Sequence, residues 1–447
     1  MDTKELIVMV TMLDIIQKKK GNLKHTKSEL KFLIDGIVNN SIPDYQLSAW
    51  LMSVYFNSMD LEETSYITKL MMNSGDVLDF SDVGDIIGDK HSTGGVGDKT
   101  TLVFVPLMAA LGLPMAKLSG RGLGFSGGTI DKLEAIPGFN ATLTSDQFKQ
   151  LVKKNKMAVS AQSQSLAPAD GKLYALRDVT CTIDSMPLIA ASVLSKKFAS
   201  GTNLIILDVK CGKGAFMEDS KQAINLAKFM VDIGYRLNKH VLTVVTDMNQ
   251  PLGYAVGNAI EVKEAIDTLA GNGPADLVEL TLSLGSVALT KAKLAQNIDD
   301  AKLKITQAIQ SGLALEYFAK LIQAQGGNSQ VIENPKLMPQ AKYIKTLTVN
   351  NNLGNELWIS DVNGKIIAMA AKLLGAGRSF KGEKINLAVG IEVFVKIGQK
   401  VFINEPLATV YADTEDSLNI ACDYVYKAVK FSLTEVETPP LILGSYE

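Results

Sequence analysis

Cysteine is scarce in this chain, and the three present, Cys181, Cys211 and Cys422, lie far apart without CxxC spacing. That excludes a disulfide framework and a cysteine zinc site, and it suits a reducing cytoplasm. Charge of either sign is not in surplus, the formal net charge being −2 over 447 residues. With no basic stripe to neutralise a phosphodiester backbone, nucleic acid is not expected as the main partner, and a small substrate is. Long apolar runs are missing as well. The run LIVMVTMLDII near the N-terminus is broken by Asp14 and followed by QKKK, so it reads as an amphipathic helix, not a signal sequence. Nothing approaches a membrane span, and no membrane partner is expected. Histidine is limited to His25, His91 and His240, so a histidine inside a glycine-rich loop stands out.

What is abundant is apolar surface, at 47% of residues, and glycine, at 36. A chain of this length and apolar content exceeds one ordinary core and divides into two or three domains. Residues 5 to about 75 read as helices, with TKSE (Thr26–Glu29) and DLEE (Asp60–Glu63) as capping boxes. From Val83 the pattern becomes strand, glycine loop and helix, in DIIGDKHS, STGGVGDKT and TLVFVPLMAALG. It repeats at once in PMAKLSG, RGLGFSGG and TIDKLEAI, closed by Pro137-Gly138. Two such loops in adjacent units meet at one edge of a parallel sheet, where open α/β folds bind anions.

Strands in MAVSAQ, LIILDVK and VLTVVTD continue the α/β run. Pro168–Gly201 reads as helical, with Pro187 at a helix start and Gly201 at its stop, so the chain is expected to rejoin the N-terminal helices there. After about residue 345, KTLTV, IEVFVKIGQ and PLATVYA predict a small antiparallel sheet. The phrase VKIGQKVFINEPLATV looks like a lipoyl or biotin carrier module, but no lysine sits in a matching hairpin turn, so a structural module is expected. The predicted fold class is α/β in three parts. They are a helical domain (1–75 and 170–200), a larger α/β domain with a mixed, largely parallel sheet (76–169 and 201–345), and a small C-terminal β-rich α+β module (346–447) packed on the α/β domain.

The loop DKHSTGGVGDKTT, Asp89 to Thr101, has the glycines and hydroxyls of a phosphate cradle. It is not a Walker A loop, because Asp98 separates Gly97 from Lys99 where that pattern needs an adjacent Gly-Lys pair.

This loop and SGRGLGFSGGTIDKLE (Ser119–Glu134) together closely resemble the paired signatures of the thymidine and pyrimidine-nucleoside phosphorylase family. The resemblance continues through DVTCTIDSMPLIAASVLSKK, DVKCGKGAFM, TDMNQPLGYAVGNAIEVKEA and LGAGR, from about residue 12 onward. Met1, Met9 and Met12 are alternative starts. The resemblance implies cleavage of a pyrimidine nucleoside by inorganic phosphate, giving free base and (deoxy)ribose 1-phosphate, in a cytoplasmic homodimer. On that reading no cofactor is required, phosphate is the co-substrate, and potassium is left open.

Matched to the family motifs, Lys90, Ser92, Thr101, Ser119 and Thr129 surround the phosphate, as backbone N–H groups, hydroxyls and a lysine hold such an anion. Hydroxyl residues at such places commonly just cap helices. Here two adjacent loops and an in-loop lysine favour the anion. Arg177, Ser192 and Lys196 match the base-binding positions: strong donors for two carbonyls, with a hydroxyl able to accept from N3–H. Ser192 and Lys196 are i and i+4 on one predicted helix. His91 is placed beside the base, to hydrogen-bond or protonate its O2. With Arg177 and Lys196 it forms the expected catalytic set, while Leu123, Tyr174, Ile189 and Phe216 supply apolar walls.

Three departures from the family pattern bear on chemistry. Lys117 stands where members restricted to 2′-deoxynucleosides usually carry methionine, which favours uridine along with thymidine and deoxyuridine and adds Lys117 to the phosphate set. Lys99 stands where some relatives use a threonine to bind potassium with positions matching Gly97, Leu252, Ala255 and Glu264, so its ammonium is a candidate replacement for the ion. Phe125 and Ser126 replace a common His-Thr pair. The competing readings are a thymidine phosphorylase restricted to deoxynucleosides, a phosphoribosyltransferase, which needs carboxylates for magnesium–pyrophosphate, and a non-catalytic phosphate-ligand sensor.

Overall fold

The computed structural model describes residues 10–122, 127–163, 165–350, 353–380 and 382–447. Helices α1 (Met12–Lys20), α2 (Lys27–Val38), α3 (Asp44–Asn57) and α4 (Leu61–Met72) open it. Capping boxes start three of them, at Thr11/Asp14, Thr26/Glu29 and Asp60/Glu63, each satisfying N–H groups that the first turn leaves without partners. Strand–loop–helix repeats follow: β1 (Gly88–Ser92), α5 (Thr100–Ala110), β2 (Met115–Ser119), α6 (Thr129–Leu133), α7 (Ser145–Asn155) and β3 (Met157–Ala161). Two helices intervene, α8 (Pro168–Val179) and α9 (Met186–Ala199), with Pro187 in the first turn of α9, where its missing N–H costs nothing.

The sheet then resumes with β4 (Leu204–Cys211), α10 (Ser220–Arg236) and β5 (His240–Asp247), and β6 (Ala255–Gly257) begins a separate sheet. A helical run comes next: α11 (Ala259–Leu269), α12 (Ala275–Lys291), α13 (Ile298–Gln310) and α14 (Leu313–Ala324). The C-terminal part comprises β7 (Tyr343–Thr348), β8 (Glu356–Val362), α15 (Gly364–Leu373), β9 (Gly390–Val393), β10 (Lys400–Phe402), β11 (Pro406–Ala412), α16 (Glu415–Ala428), β12 (Val429–Ser432) and β13 (Ile442–Tyr446).

The chain divides into two compact units. The helical unit takes the residues up to Asp79 together with Ser163–Asn203 and Lys228–His240. Its core is built on Ile15, Leu33, Leu47, Trp50, Val54, Ile67, Leu173 and Leu188, drawn from the opening helices and from α8 and α9. The sheet unit takes Phe80–Gln162, Leu204–Ala227 and Val241–Glu447.

The main sheet runs β13-β5-β4-β1-β2-β3, parallel where β1 meets β4 and β2 and where β2 meets β3. Every residue of β4 is buried, as expected of a parallel strand covered on both faces. The edge strand β13 pairs antiparallel with β5, which makes the sheet mixed. Smaller antiparallel sheets, β6-β9-β11-β7 and β10-β8-β12, form the C-terminal part. The C-terminal segment is therefore tied to the α/β region twice, through β6 in its own sheet and through β13 in the main one. Among the described residues no helix is long and apolar enough to cross a membrane.

Candidate active site

The two glycine loops leave the C-terminal ends of β1 and β2. Alternation along a strand puts Lys90 and Ser92 on one face of β1 and His91 on the other, and Lys117 and Ser119 on one face of β2. After β1 the chain turns sharply at Gly94 and Gly97, with φ of 99° and 72°. A side chain at Gly97 would also place its Cβ 2.6 Å from the carbonyl oxygen of Leu252, so both conformation and space require glycine. The Ser92 hydroxyl accepts the Gly94 N–H at 3.2 Å, and Asp98 Oδ1 accepts the Thr100 N–H at 3.1 Å, opening α5. Thr101 is buried in that first turn.

Lys90 is fully buried, its Nζ 3.5 Å from Asp98 Oδ2 and 3.3 Å from Asp208 Oδ2. Burial alone would raise the Asp98 carboxyl. Lys90, Lys210 and Lys132 outweigh it and hold the group well below its usual range, so it is ionised. Lys117 is buried too, donating to the Leu118 carbonyl at 3.1 Å and lying 3.7 Å from Asp89.

The second loop is braced from its helix. Asp131 of α6 accepts the Gly122 N–H at 2.7 Å and a guanidinium N–H of Arg378 at 2.8 Å. Gly128, just before Thr129, passes so close to Gly122 that a Cβ would lie 2.1 Å from its nitrogen. Leu123, Phe125 and Ser126 lie outside the described residues.

The residues matched to base recognition fall mainly on α8 and α9 of the helical unit. Asp170, Tyr174 and Arg177 follow i, i+4, i+7 spacing on α8, and Ile189, Ser192 and Lys196 follow i, i+3, i+7 on α9. The two stripes are joined by an ion pair, Lys196 Nζ to Asp170 Oδ2 at 2.8 Å. The Lys196 ammonium also lies 5.1 Å from the centre of the Tyr174 ring.

Arg177 is buried and donates to the carbonyls of Thr182, at 3.3 Å, Leu188, at 3.0 Å, and Ile183. A guanidinium has five N–H donors, so these bonds fix it rigidly and leave two donors for a ligand. Tyr174, at 45% exposure, is the open member of this set. Phe216 is 64% exposed and belongs, like His91, to the sheet unit.

Lys99, fully buried at the start of α5, donates to the carbonyls of Leu252 at 2.8 Å and Ala255 at 2.9 Å, and to Glu264. Burial would lower its pKa, but Glu264, Glu261 and Asp276 raise it above the usual lysine value, so it is a cation. A second ammonium serves the same loop. Lys396 donates to the carbonyls of Pro251 and Gly253, each at 2.6 Å, and to Asp276 at 2.7 Å.

Sequence reasoning missed Asp208, Lys210, Asp170, Arg378 and Lys396. For the first two a signal existed: a charged pair two residues apart in the otherwise apolar strand LIILDVKC. For Asp170 it was the i, i+4, i+7 stripe in PADGKLYALR.

Comparison with known proteins places this architecture in a class. The chain matches the glycosyl transferase family helical bundle domain over residues 13–75, the glycosyl transferase family a/b domain over 84–315, and the pyrimidine nucleoside phosphorylase C-terminal domain over 358–432. It is 48% identical to the pyrimidine-nucleoside phosphorylases of Geobacillus stearothermophilus and of Bacillus subtilis strain 168, each over 431 residues covering 96% of this chain and 98% of the relative. Anthranilate phosphoribosyltransferase from Thermus thermophilus shares the fold, with a TM-score of 0.58 at 14% identity over 70% of this chain and 99% of that one. The chain belongs to the pyrimidine-nucleoside phosphorylase family.

Proposed function

We propose that the protein cleaves pyrimidine nucleosides with inorganic phosphate, releasing the base and (deoxy)ribose 1-phosphate. The observation that carries this reading is the joined stripe on α8 and α9, where a fixed guanidinium, a hydroxyl and an ammonium lie on helices held together by the Asp170–Lys196 ion pair. That donor set matches the two carbonyls and the N3–H of a uracil-type ring. Phosphate is held by Lys90, Ser92, Thr101, Lys117, Ser119 and Thr129, and the base by His91, Leu123, Tyr174, Arg177, Ile189, Ser192, Lys196 and Phe216.

As the glycosidic bond breaks, positive charge builds on the sugar and negative charge on the departing base. The phosphate stabilises the first and attacks C1′, while Arg177 and Lys196 stabilise the second at the carbonyl edge and His91 hydrogen-bonds or protonates O2. The phosphoribosyltransferase reading fits the residues less well, because Asp98 and Asp208 beside the first loop are engaged by Lys90 and Lys210.

Lys117 extends the substrate range to uridine as well as thymidine and deoxyuridine, its ammonium reaching the phosphate or a ribose 2′-hydroxyl. Lys99 takes the place of a potassium ion, supported by its bonds to two carbonyls and a carboxylate, as a monovalent cation would bind. Activity is then equal in K⁺ and Na⁺, while Lys99→Thr acquires a K⁺ requirement; strong K⁺ activation of the unmodified enzyme would contradict the replacement. The protein is expected to work in the cytoplasm as a homodimer. The test of the main reading is release of uracil and thymine from uridine, deoxyuridine and thymidine with and without phosphate. Release that needs phosphate supports it, and phosphate-independent release makes the protein a hydrolase instead.

A further inference from the structure

Beneath the first glycine loop, Lys90, Ser92, Asp208 and Lys210 share one face of two paired strands. The pairing sets Ser92 opposite Asp208, and alternation carries Lys90 and Lys210 to the same side. Lys210 Nζ lies 2.8 Å from Asp208 Oδ2, the same oxygen that Lys90 approaches at 3.3 Å. Thr246 on β5 donates to the other oxygen, Oδ1, at 2.7 Å. Thr93 fixes this corner further, its hydroxyl accepting the Lys210 N–H at 2.8 Å and its own N–H donating to the Asp208 carbonyl at 3.1 Å. The side chains of Lys90, Asp208 and Lys210 are wholly buried, so water screens none of these charges.

The charges form a balanced set. Lys90 and Lys210 contribute two positive charges, Asp98 and Asp208 two negative ones. Remove Lys210, and Asp208 loses its nearer cation: Lys90 then faces Asp98 and Asp208, with Lys132, which also acts on Asp98, already paired with Glu261, so the cluster gains a negative charge where an anion has to bind.

We propose that Lys210 is a positioning residue for the phosphate site: by neutralising Asp208 it leaves the Lys90 ammonium free to attract inorganic phosphate. Lys210 itself does not touch the substrate. The inference deepens the phosphorolysis reading and rests on its assignment of phosphate to Lys90.

The test is binding of inorganic phosphate to the full-length protein, measured by calorimetry so that it does not depend on turnover, followed by KM values for phosphate and for uridine. Lys210→Met is expected to weaken phosphate binding at least about tenfold, because an uncompensated buried carboxylate acts on the anion at close range. Its KM for uridine is expected to stay within about twofold of the unmodified protein, since Arg177, Ser192 and Lys196 belong to the helical unit and Lys210 to the sheet unit. Adding Asp208→Asn to Lys210→Met restores phosphate binding to within about threefold, which a merely structural role would not do.

Phosphate binding unchanged in Lys210→Met, a matching rise in the uridine KM, or a double variant no better than the single one would each overturn the proposal. If Lys210→Met fails to fold, Asp208→Asn alone decides: binding equal to or tighter than the unmodified protein supports charge balance, and weakening of about tenfold overturns it. An unmodified protein that binds phosphate but cleaves no nucleoside would defeat the phosphorolysis reading and leave this one testable.

Discussion

His91 and Lys117 carry the sharpest expectations at the scale of single residues. His91→Ala is expected to lower kcat by about 10²–10⁴-fold while leaving phosphate binding intact, the usual contribution of a positioned general acid. Near-normal turnover would remove that role. Lys117→Met is expected to reduce kcat/KM for uridine at least about tenfold more than for thymidine, the worth of one hydrogen bond to a 2′-hydroxyl; equal losses would assign the ammonium to phosphate alone. Lys90, Arg177 and Lys196 could be picked out in the sequence because they sit inside recognisable phrases. Which side chains they pair with could not be read in the same way. Asp208 reaches Lys90 from a strand more than a hundred residues further along, and nothing in the local sequence indicates which strand neighbours β1. For Arg177 the three carbonyls that fix it come from the turn between α8 and α9 and the first turn of α9, whose conformation no side-chain pattern encodes.

Helix starts and glycine loops were legible as elements because their signals are local: a capping residue three positions before its partner, or a positive φ that only glycine adopts cheaply. The strands β12 and β13 were not anticipated, being short and stabilised by partners distant in the chain, and neither was β8, the strand that β12 pairs with.

The brace on the second loop combines both kinds of signal. Asp131 lies in the recognised phrase, while Arg378, from the far C-terminal LGAGR, becomes its partner only on folding. Arg378→Ala should therefore loosen the Gly122 end of the loop and raise the KM for phosphate several-fold with a smaller effect on uridine; equal effects on both substrates would make the contact merely structural.

In the helical unit, His25 accepts the Trp50 indole N–H at 3.1 Å, and burial, reinforced by nearby Lys19, lowers its pKa from 6.5 to about 4. A lowered folded pKa contributes stability that is complete above pH 6.5 and is lost as pH falls toward 4. The loss amounts to at most about 3 kcal/mol. Urea midpoints measured from pH 7 to 4 should show this slope, and His25→Gln, which keeps an acceptor for Trp50, should flatten it. An unchanged slope would place the titration elsewhere.

The residues matched to phosphate, Lys90, Ser92, Thr101, Lys117, Ser119 and Thr129, belong to the sheet unit, and Tyr174, Arg177, Ile189, Ser192 and Lys196 belong to the helical one. The α/β class with a helical domain was readable from the alternation of strand, glycine loop and helix. The return of β13 to the main sheet was not, because ILGSY has neither a clear alternation nor a long apolar run.

On the helical unit, α3 is apolar on its outer side as well, with Tyr45 at 74% and Phe56 at 75% exposure, aligned with Ala49 and Met52 at helical spacing. Such a face suits a second copy of the chain. Light scattering should show a dimer that Phe56→Glu with Tyr45→Glu converts to monomer; a monomeric unmodified protein would contradict the expected assembly.

The central claim, that phosphate itself attacks the sugar, is tested most directly by following phosphorus in the reaction. With uridine and inorganic phosphate, ³¹P NMR should show a new sugar 1-phosphate signal growing in step with released uracil and at the expense of inorganic phosphate. Uracil accumulating while the inorganic phosphate signal stays constant would contradict the account.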